Sequence, residues 1–300
     1  MVGRSVRVAV TGGSGFVGQH VLAALDRKGI PYLSIGRTRP PDVARDRYKA
    51  IDLLNDDLHA SFSGLECTHL IHLAWYTEHG RYWTSPANLD WGMASLSLIR
   101  AFCEYGMHVT AIGTCAEYDW SSGVCIEGKT PIEPTTLYGK VKTATSQMLA
   151  AACSTQDIPC CWARLFFPFG HGESPSRLIP SIVDAVLGRS PPITVGGENW
   201  RDFLAVEDVA DAIVHLATTN YNGEVNICSG VPRQIRGLVD EIAGYLGKVG
   251  ERVLDARSKA GDARWVVGDD SRLRSTGWSP AVSFSDRLAS YVVARRMSGA

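Results

Sequence analysis

Tyr138 and Lys142 are four residues apart, a spacing that places both side chains on one face of a helix. An ammonium beside a phenol favours the phenolate, so Lys142 is expected to lower the pKa of Tyr138 and make it a usable general acid or base. Thr114 precedes them at the end of a predicted buried strand, where its hydroxyl would lie beside the phenol. Many helices carry the Tyr–Lys spacing by chance, but the three residues together predict a site for proton transfer.

The segment TGGSGFVG at residues 11–18 ends the first predicted strand and begins the first predicted helix. Glycines there allow the backbone to turn tightly and approach a pyrophosphate, whose charge the helix N-terminus favours. An ordinary strand-to-helix turn is the alternative, yet the position directly between strand and helix favours a dinucleotide site. Its predicted contacts are Gly12, Gly15, Phe16, Val17 and Gly18.

The end of the second predicted strand indicates which dinucleotide binds. NAD sites usually have Asp or Glu there to hold the ribose 2′-hydroxyl, whereas this strand is followed by Arg37 and Arg39. Two guanidinium groups suit a 2′-phosphate, so NADPH is predicted, with NAD(H) as the alternative cofactor and solvated loop arginines as the other interpretation. Asp52 is predicted to accept a hydrogen bond from the adenine amine, or else to cap a turn. The remaining predicted cofactor contacts are Leu53, Leu73, Ala74, Tyr138 and Lys142.

Short β-branched runs alternate with longer amphipathic segments around these residues. Nearly continuous apolar strands separated by helices are typical of a parallel sheet covered on both faces. The sequence therefore predicts an α/β fold: a Rossmann-type doubly wound parallel sheet with a small C-terminal substrate lobe. Residues 1–168 would form the dinucleotide-binding domain and 169–300 mainly the lobe, with about 200–230 returning to the first domain. The predicted strands are 7–11, 32–35, 48–51, 69–74, 109–113, 160–166 and 225–227, and the predicted helices are 17–28, 88–105, 138–153, 208–217 and 238–246.

The composition excludes several classes of protein. The 300 residues carry 30 basic and 31 acidic side chains, a net charge of −1, which gives no reason to expect nucleic acid or an anionic membrane as a partner. No apolar run approaches the roughly 18 residues of a membrane span, and no signal peptide precedes the first strand, so a cytoplasmic protein is predicted. The eight cysteines lack the paired spacing of zinc ligands. Reduced, mostly buried thiols and no metal site are therefore expected.

The chain resembles the extended short-chain dehydrogenases/reductases of the NAD-dependent epimerase/dehydratase family, which act on nucleotide sugars. The similarity includes the glycine-rich segment and YGKVK at 138–142, and it runs over nearly the whole length. The other segments that carry it are HLIHLAW at 69–75, GTCAEYDW at 113–120, RLFFPFG at 164–170, RDFLAVEDVADAI at 201–213, VNICSG at 225–230 and GDARWVVGDDSRLRSTGWSP at 261–280.

The resemblance implies roles for residues of this chain. Thr114, Tyr138 and Lys142 would be the catalytic triad, and Arg201 and Arg264 would grip a substrate diphosphate unless they are surface ion-pair partners. The other substrate contacts that it implies are Trp75, Phe167, Arg177 and Leu178. Family members commonly dimerise through the helices that match 88–105 and 138–153, so a homodimer is expected.

Two departures from the family pattern narrow the reaction. The 4,6-dehydratases of the family carry an acidic pair just after the catalytic Thr, where this chain has Cys115 and Ala116, so dehydration is disfavoured. Glu117 is adjacent but aligns with a different position. The family's substrate-binding Asn is Phe167 here, which puts the usual diphosphate contact in doubt.

The expected activity is NADPH-dependent reduction of the 4-keto group of a nucleotide-linked 4-keto-6-deoxyhexose. Three alternatives stay open: a nucleotide-sugar 4-epimerase with tightly bound NAD, a reductase of a small-molecule ketone without a nucleotide, and a non-catalytic dinucleotide-binding sensor. His72 is expected to be a hydrogen-bonded core residue. The aromatic-rich segment at 75–83 would either stack on a sugar or pack under a loop.

Overall fold

The structure is a computed structural model that describes residues 5–250, 253–255 and 263–298. Its strands, numbered in chain order, are β1 (Val8–Thr11), β2 (Tyr32–Gly36), β3 (Tyr48–Ala50), β4 (His69–His72), β5 (His108–Thr114), β6 (Val124–Cys125), β7 (Cys160–Leu165), β8 (Phe167–Phe169), β9 (Ile193–Thr194), β10 (Trp200–Arg201), β11 (Phe203–Ala205), β12 (Gly223–Ile227), β13 (Arg233–Gln234), β14 (Leu254–Asp255) and β15 (Trp265–Gly268). Its helices are α1 (Phe16–Arg27), α2 (Leu58–Phe62), α3 (Ala87–Cys103), α4 (Leu137–Thr155), α5 (Leu178–Leu187), α6 (Val206–Thr218), α7 (Ile235–Tyr245), α8 (Ser271–Ser275) and α9 (Phe284–Met297).

Within the described residues, seven strands form a parallel sheet in the order β3-β2-β1-β4-β5-β7-β12. The chain runs outward from β1 to β2 and β3, and then outward from β4 in the opposite direction, so the strand order reverses between β1 and β4. At such a switch point the carboxyl ends of the strands open a crevice that binds ligands. The predicted doubly wound α/β fold is confirmed.

Helices cover both faces of this sheet. On one face α1 packs against α6, with Val21 and Ile213 in the core. On the other face α3 packs against α4, with Leu98 and Leu149 in a second core. Because both faces are covered, successive side chains of the inner strands are all buried, which is why apolar residues follow one another in these strands instead of alternating with exposed polar ones.

The C-terminal segments add a further core. Helices α5, α7 and α9 pack against one another around Ile182, Leu238 and Val292. Strands β13, β10, β15 and β6 form a small mixed sheet, and β8 pairs with β11. Helix α6 packs on α1, and β12 pairs with β7 of the central sheet. The division of the chain into residues 1–168 and 169–300 stays a prediction.

Several bounds differ from the predicted ones. Strand β4 ends at His72 rather than at residue 74, and the last hydrogen bond of its ladder with β1 is donated by the Leu73 nitrogen to the Thr11 carbonyl. The predicted strand 160–166 ends at Leu165, and the chain then continues as β8, which pairs with β11 instead of the central sheet. Helix α7 begins at Ile235, three residues before its apolar periodicity is evident.

Seven of the eight cysteines are buried, which confirms the expectation of mostly buried thiols, and none is paired in a disulfide within the described residues. The described residues contain no group of His, Cys, Asp and Glu side chains that could hold a metal ion. None of the helices described above is long and apolar enough to cross a membrane.

Candidate active site

A cavity of about 540 Å³ lies at the carboxyl ends of β1, β2, β4 and β5, where the strand order reverses. The glycine-rich turn, the loop after β4, the start of α4 and the segment after β8 form its walls. The sequence-predicted residues that line it are Gly12, Gly15, Phe16, Val17, Gly18, Arg37, Asp52, Leu53, Leu73, Ala74, Trp75, Thr114, Tyr138, Lys142 and Arg177. The structure therefore brings the predicted proton-transfer residues and most predicted cofactor contacts to one cavity.

The glycine-rich turn has no room for side chains at two positions. A Cβ on Gly18 would lie 2.0 Å from the Gly12 carbonyl oxygen, and a Cβ on Gly12 would lie 2.7 Å from the Ala74 nitrogen. Helix α1 begins directly after Gly15, and no side chain caps its N-terminus. A helix N-terminus approached by bare backbone fits a pyrophosphate, so the residues present fit a dinucleotide.

The two arginines after β2 take different positions. Arg37 lines the cavity, whereas Arg39 donates a hydrogen bond to the Val43 carbonyl and is not among the described lining residues. Asp52 also lines the cavity, and its carboxylate accepts a hydrogen bond from the Asn55 side chain at 2.9 Å. That hydrogen bond is the main cause that lowers the pKa of Asp52, so the group is an anion near neutral pH. The cofactor-binding roles of these residues stay predictions.

The three predicted proton-transfer residues meet at the end of β5. Thr114 is the last residue of that strand, Tyr138 and Lys142 lie one turn apart on α4, and all three are buried. The Thr114 hydroxyl accepts a hydrogen bond from the Ala116 nitrogen at 3.2 Å and lies close enough to the Tyr138 phenol to lower its pKa. The Lys142 ammonium donates to the Ile112 carbonyl at 2.7 Å. This arrangement can deliver a proton to a carbonyl oxygen held between the phenol and the hydroxyl.

The expectation that Lys142 lowers the pKa of Tyr138 is wrong. Burial has the largest effect on the phenol and raises its pKa, Tyr82 adds to the rise, and the Thr114 side chain opposes it. Burial also lowers the pKa of Lys142 to about 7. The Lys142 nitrogen lies 3.6 Å from the centroid of the Trp75 ring, so its charge is directed to an aromatic face rather than to the phenol.

Aromatic side chains of the loop after β4 surround the Tyr138 ring. Trp75, Tyr82 and Trp83 pack edge-on against it, with ring centroids 6.5, 5.0 and 5.9 Å away. Fully buried Asn88 holds this loop by accepting a hydrogen bond from the Trp75 indole and donating one to the Tyr82 carbonyl. Packing under the loop is therefore observed, and sugar stacking on Trp75 stays a prediction.

His72 is a hydrogen-bonded core residue, as expected. Its Nδ1 lies 2.7 Å from the Thr11 hydroxyl, and its Nε2 lies 2.8 Å from the Ser95 hydroxyl. Burial lowers the pKa of His72 to about 3, so the ring is neutral at pH 7. It joins β1, β4 and α3 beneath the cavity.

Arg177, a predicted substrate contact, lines the cavity and forms an ion pair with buried Glu173 at 3.0 Å. Leu178 begins α5 and packs against the C-terminal core. Among the described residues, it is not part of the cavity wall.

The remaining predicted substrate residues lie outside the described lining of the cavity. Phe167 packs against Phe203 within the β8–β11 pair. The Arg201 guanidinium donates to the Trp200 carbonyl at 2.8 Å and lies 5.8 Å from the Phe167 ring centroid. Arg264 is exposed, and its carbonyl accepts a hydrogen bond from the Trp200 nitrogen. Their contacts with substrate stay predictions.

The sequence analysis missed a buried ionic network next to the proton-transfer residues. Glu117 and Arg164 are almost completely buried and are joined at 2.7 Å, and Arg164 also forms two hydrogen bonds with the half-exposed Glu224. The signal was present in the sequence: an arginine inside the apolar run 160–166 needs a buried acidic partner. The glutamate that follows the β5 strand is that partner.

A doubly wound sheet with a glycine-rich turn at its switch point and a Tyr–Lys pair beside β5 defines an enzyme of the dinucleotide-dependent short-chain dehydrogenase/reductase class. The chain belongs to the NAD-dependent epimerase/dehydratase family, whose model matches residues 8–228. The matched range contains every described strand of the central sheet and the described lining of the cavity. The resemblance drawn from the sequence motifs is confirmed.

Relatives with different reactions match this chain over similar lengths. The UDP-glucose 4-epimerase of Azospirillum brasilense is 26% identical over 312 residues, which cover 92% of this chain and 88% of the epimerase. The GDP-6-deoxy-D-mannose reductase of Pseudomonas aeruginosa is 28% identical over 302 residues, which cover 94% of each chain. The solved structure of MoeE5 in complex with UDP-glucuronic acid and NAD has the same fold, with a TM-score of 0.84 at 24% identity over 97% of this chain and 99% of that chain.

Proposed function

We propose that this enzyme uses NADPH to reduce the 4-keto group of a nucleotide-linked 4-keto-6-deoxyhexose. The observation that carries the proposal is the cavity in which Tyr138, Thr114 and Arg37 face one space. A bound nicotinamide dinucleotide supplies the hydride. Tyr138 donates the proton to the sugar carbonyl oxygen, Thr114 hydrogen-bonds that oxygen, and Lys142 holds the nicotinamide ribose.

The residues just after Thr114 support reduction over dehydration. Elimination of water from a sugar needs an acid and a base at the reacting carbons, and this chain has Cys115 and Ala116 at the positions where the family's dehydratases carry their acidic pair. Both side chains are buried, and burial raises the pKa of the Cys115 thiol, so it stays protonated. The match to a deoxysugar reductase over 94% of this chain supports the same reaction class.

The side chain of Arg37 supports NADPH over NADH. It is exposed at the end of β2 and lines the cavity, where a guanidinium can pair with a ribose 2′-phosphate. Asp52 also lines the cavity, but it follows β3 rather than β2. Its carboxylate accepts hydrogen bonds from the Leu54 nitrogen and the Asn55 side chain of the same turn.

A nucleotide-sugar 4-epimerase with tightly bound NAD is the second candidate. Two observations favour it. One is the match to a UDP-glucose 4-epimerase over 92% of this chain. The other is the hydrogen bond from Arg39 to the Val43 carbonyl, so that of the two arginines Arg37 is the one on the described cavity wall. An epimerase recycles its cofactor within one turnover, so it consumes no reduced nicotinamide.

Titration calorimetry of the cofactor-stripped enzyme with NADPH and NADH tests the cofactor part of the proposal. A charge-assisted pair contributes about 1.5–3 kcal/mol, so NADPH should bind roughly tenfold or more tightly than NADH. Arg37→Ser should abolish this preference, and Arg39→Ser, the matched control, should keep most of it. Equal or tighter binding of NADH by the unmodified enzyme would favour the epimerase.

A further inference from the structure

Glu117 is a fully buried carboxylate in the turn Cys115–Glu117, directly after β5. It accepts hydrogen bonds from the Thr114 backbone nitrogen at 2.8 Å, from the Trp162 indole at 3.0 Å and from Arg164 Nε at 2.7 Å. All three partners can only donate, so the ionised carboxylate is the form that satisfies them. The turn is therefore built around a negative charge.

The strand residue before Thr114 makes room for this carboxylate. A Cβ on Gly113 would lie 2.5 Å from Oε1 of Glu117 and 2.3 Å from the Trp162 indole nitrogen. Because residue 113 is glycine, the Glu117 carboxylate and the Trp162 indole can form their hydrogen bond next to Thr114, the last residue of β5.

We propose that Glu117 is a positioning residue of the active site, whose carboxylate fixes the backbone of Thr114 and supplies the negative charge that acts on Lys142. This inference rests on the proposed reaction, because that reaction gives Thr114 and Lys142 their roles. It assigns a task to a buried ion pair that the proton transfer itself does not use.

The hydrogen bonds of the turn set the direction of the Thr114 hydroxyl. Glu117 accepts from the backbone nitrogen of Thr114, while the Thr114 hydroxyl accepts from the Ala116 nitrogen, and the two bonds form a capping box. Because the hydroxyl oxygen already accepts from the backbone, its own proton is directed to the Tyr138 phenol or to a bound carbonyl oxygen. Loss of the Glu117 carboxylate removes one side of this box.

The charge on Lys142 depends on few neighbours among the described residues. His72 faces it from β4 but is neutral, since burial lowers the pKa of His72 to about 3. The rings of Trp75 and Trp162 lie 3.6 and 5.9 Å from its nitrogen. Burial lowers the pKa of Lys142 to about 7, and Glu117 opposes that effect. Trp162 lies next to both groups: its indole donates to Glu117 at 3.0 Å, and its ring centroid is 5.9 Å from the Lys142 nitrogen. Because of this proximity, the charged fraction of Lys142 near neutral pH is sensitive to the Glu117 charge.

Arg164 keeps the Glu117 carboxylate ionised. Burial raises the pKa of Glu117, and the Arg164 guanidinium is the largest of the influences that lower it. Arg164 itself lies over the Tyr118 ring and forms two hydrogen bonds with Glu224 at the protein surface. A chain of charged side chains, Glu224, Arg164 and Glu117, thus connects the protein surface to the backbone nitrogen of Thr114.

Glu117→Gln removes the charge but keeps an oxygen that can accept from Thr114, so it separates charge from shape. Glu127→Gln is the matched control, because Glu127 is also buried and accepts a backbone hydrogen bond, from Asn226 at 2.6 Å, outside the cavity. The pH titration of Lys142 is measured by NMR on protein with ¹³C-labelled lysine, assigned by comparison with Lys142→Arg. The pH profile of kcat is measured on the same variants.

We expect the Lys142 midpoint to fall by about 1 pH unit or more in Glu117→Gln, because an opposite charge nearby has this effect, and to stay unchanged in Glu127→Gln. The alkaline limb of kcat should move to lower pH by the same amount. An unmoved midpoint in Glu117→Gln would overturn the inference. If the unmodified enzyme reduces no keto sugar, the proposed function fails, yet the NMR midpoint still decides the role of Glu117.

A folding defect in Glu117→Gln would have a known cause, since the buried Arg164 would lose its buried anionic partner and keep only the half-exposed Glu224. The double variant Glu117→Gln with Arg164→Met removes both charges and is expected to fold. Its Lys142 midpoint should fall less than in the single variant, because loss of the Arg164 cation offsets part of the loss of the Glu117 charge. A midpoint above that of the unmodified enzyme would overturn the inference.

Discussion

Replacing Gly18 with alanine tests whether the turn before α1 approaches the helix as closely as the structure shows. Gly18 lies within α1, so alanine should gain about 1 kcal/mol of helix propensity. The new Cβ would lie 2.0 Å from the Gly12 carbonyl oxygen and 2.8 Å from its carbon, and these backbone atoms can yield only if the turn or the helix moves. Overpacking costs about 1–3 kcal/mol, and a contact this short belongs at the upper end. We therefore expect a net loss of about 2 kcal/mol.

Urea unfolding of the variant and the unmodified enzyme measures this loss. Gly237→Ala in α7 is the matched control: its Cβ would meet nothing within 4 Å, so it should gain about 0.5–1 kcal/mol. Calorimetric titration with dinucleotide should show at least about tenfold weaker binding by Gly18→Ala, because displaced backbone no longer meets the pyrophosphate. A Gly18→Ala variant as stable as the unmodified enzyme, with the same dinucleotide affinity, would refute the close approach.

Three further variants test other parts of the structure. Tyr138→Phe should lower kcat about 100-fold or more by removing the proton donor, while calorimetry finds dinucleotide affinity nearly intact, because the ring that lines the cavity is kept. Retained turnover would exclude Tyr138 as the acid. His72→Gln tests how stability depends on pH. The pKa of His72 is about 3 in the folded protein and about 6.5 in the unfolded chain, so below pH 6.5 the unfolded chain binds a proton that the folded protein does not, and the free energy of unfolding falls. Between pH 6.5 and 5 this loss is about 2 kcal/mol, measured by urea unfolding, and it should be absent from the variant. An equal loss of unfolding free energy in both proteins over this pH range would contradict the neutral, buried His72. Leu98→Ala opens a cavity in a fully buried part of the core, and unfolding should show a loss of about 2–5 kcal/mol, whereas less than about 1 kcal/mol would contradict its packing.

The fold was predictable because its signals are local. Strands covered on both faces carry apolar residues at consecutive positions, as in Val8–Thr11, and the connecting helices are long enough to show their periodicity. Right-handed crossovers then restrict the strand order to a few arrangements. Strand ends were predicted less well, because the switch from β7 to β8 depends on pairing with β11, which comes much later in the chain.

The electrostatics of the site were not predictable from spacing. A four-residue interval places Tyr138 and Lys142 on one helix face, but the burial of both depends on Trp75 and Tyr82 from a loop far earlier in the chain. That burial raises the pKa of the phenol, the opposite of the effect expected from a nearby ammonium. The different positions of Arg37 and Arg39 were likewise not predictable from the sequence. Arg37 lines the cavity, whereas Arg39 contacts the loop that contains Val43, and the course of that loop is known only from the structure.

The measurement that tests the proposed reaction most directly is the absorbance of reduced nicotinamide during turnover. The enzyme is mixed with NADPH and a nucleotide-linked 4-keto-6-deoxyhexose, and the Tyr138→Phe variant is run beside it. We expect one NADPH to be oxidised for each sugar reduced, with little oxidation in the variant. Interconversion of C4 epimers of a nucleotide sugar without net loss of reduced nicotinamide would contradict the reductase and identify an epimerase.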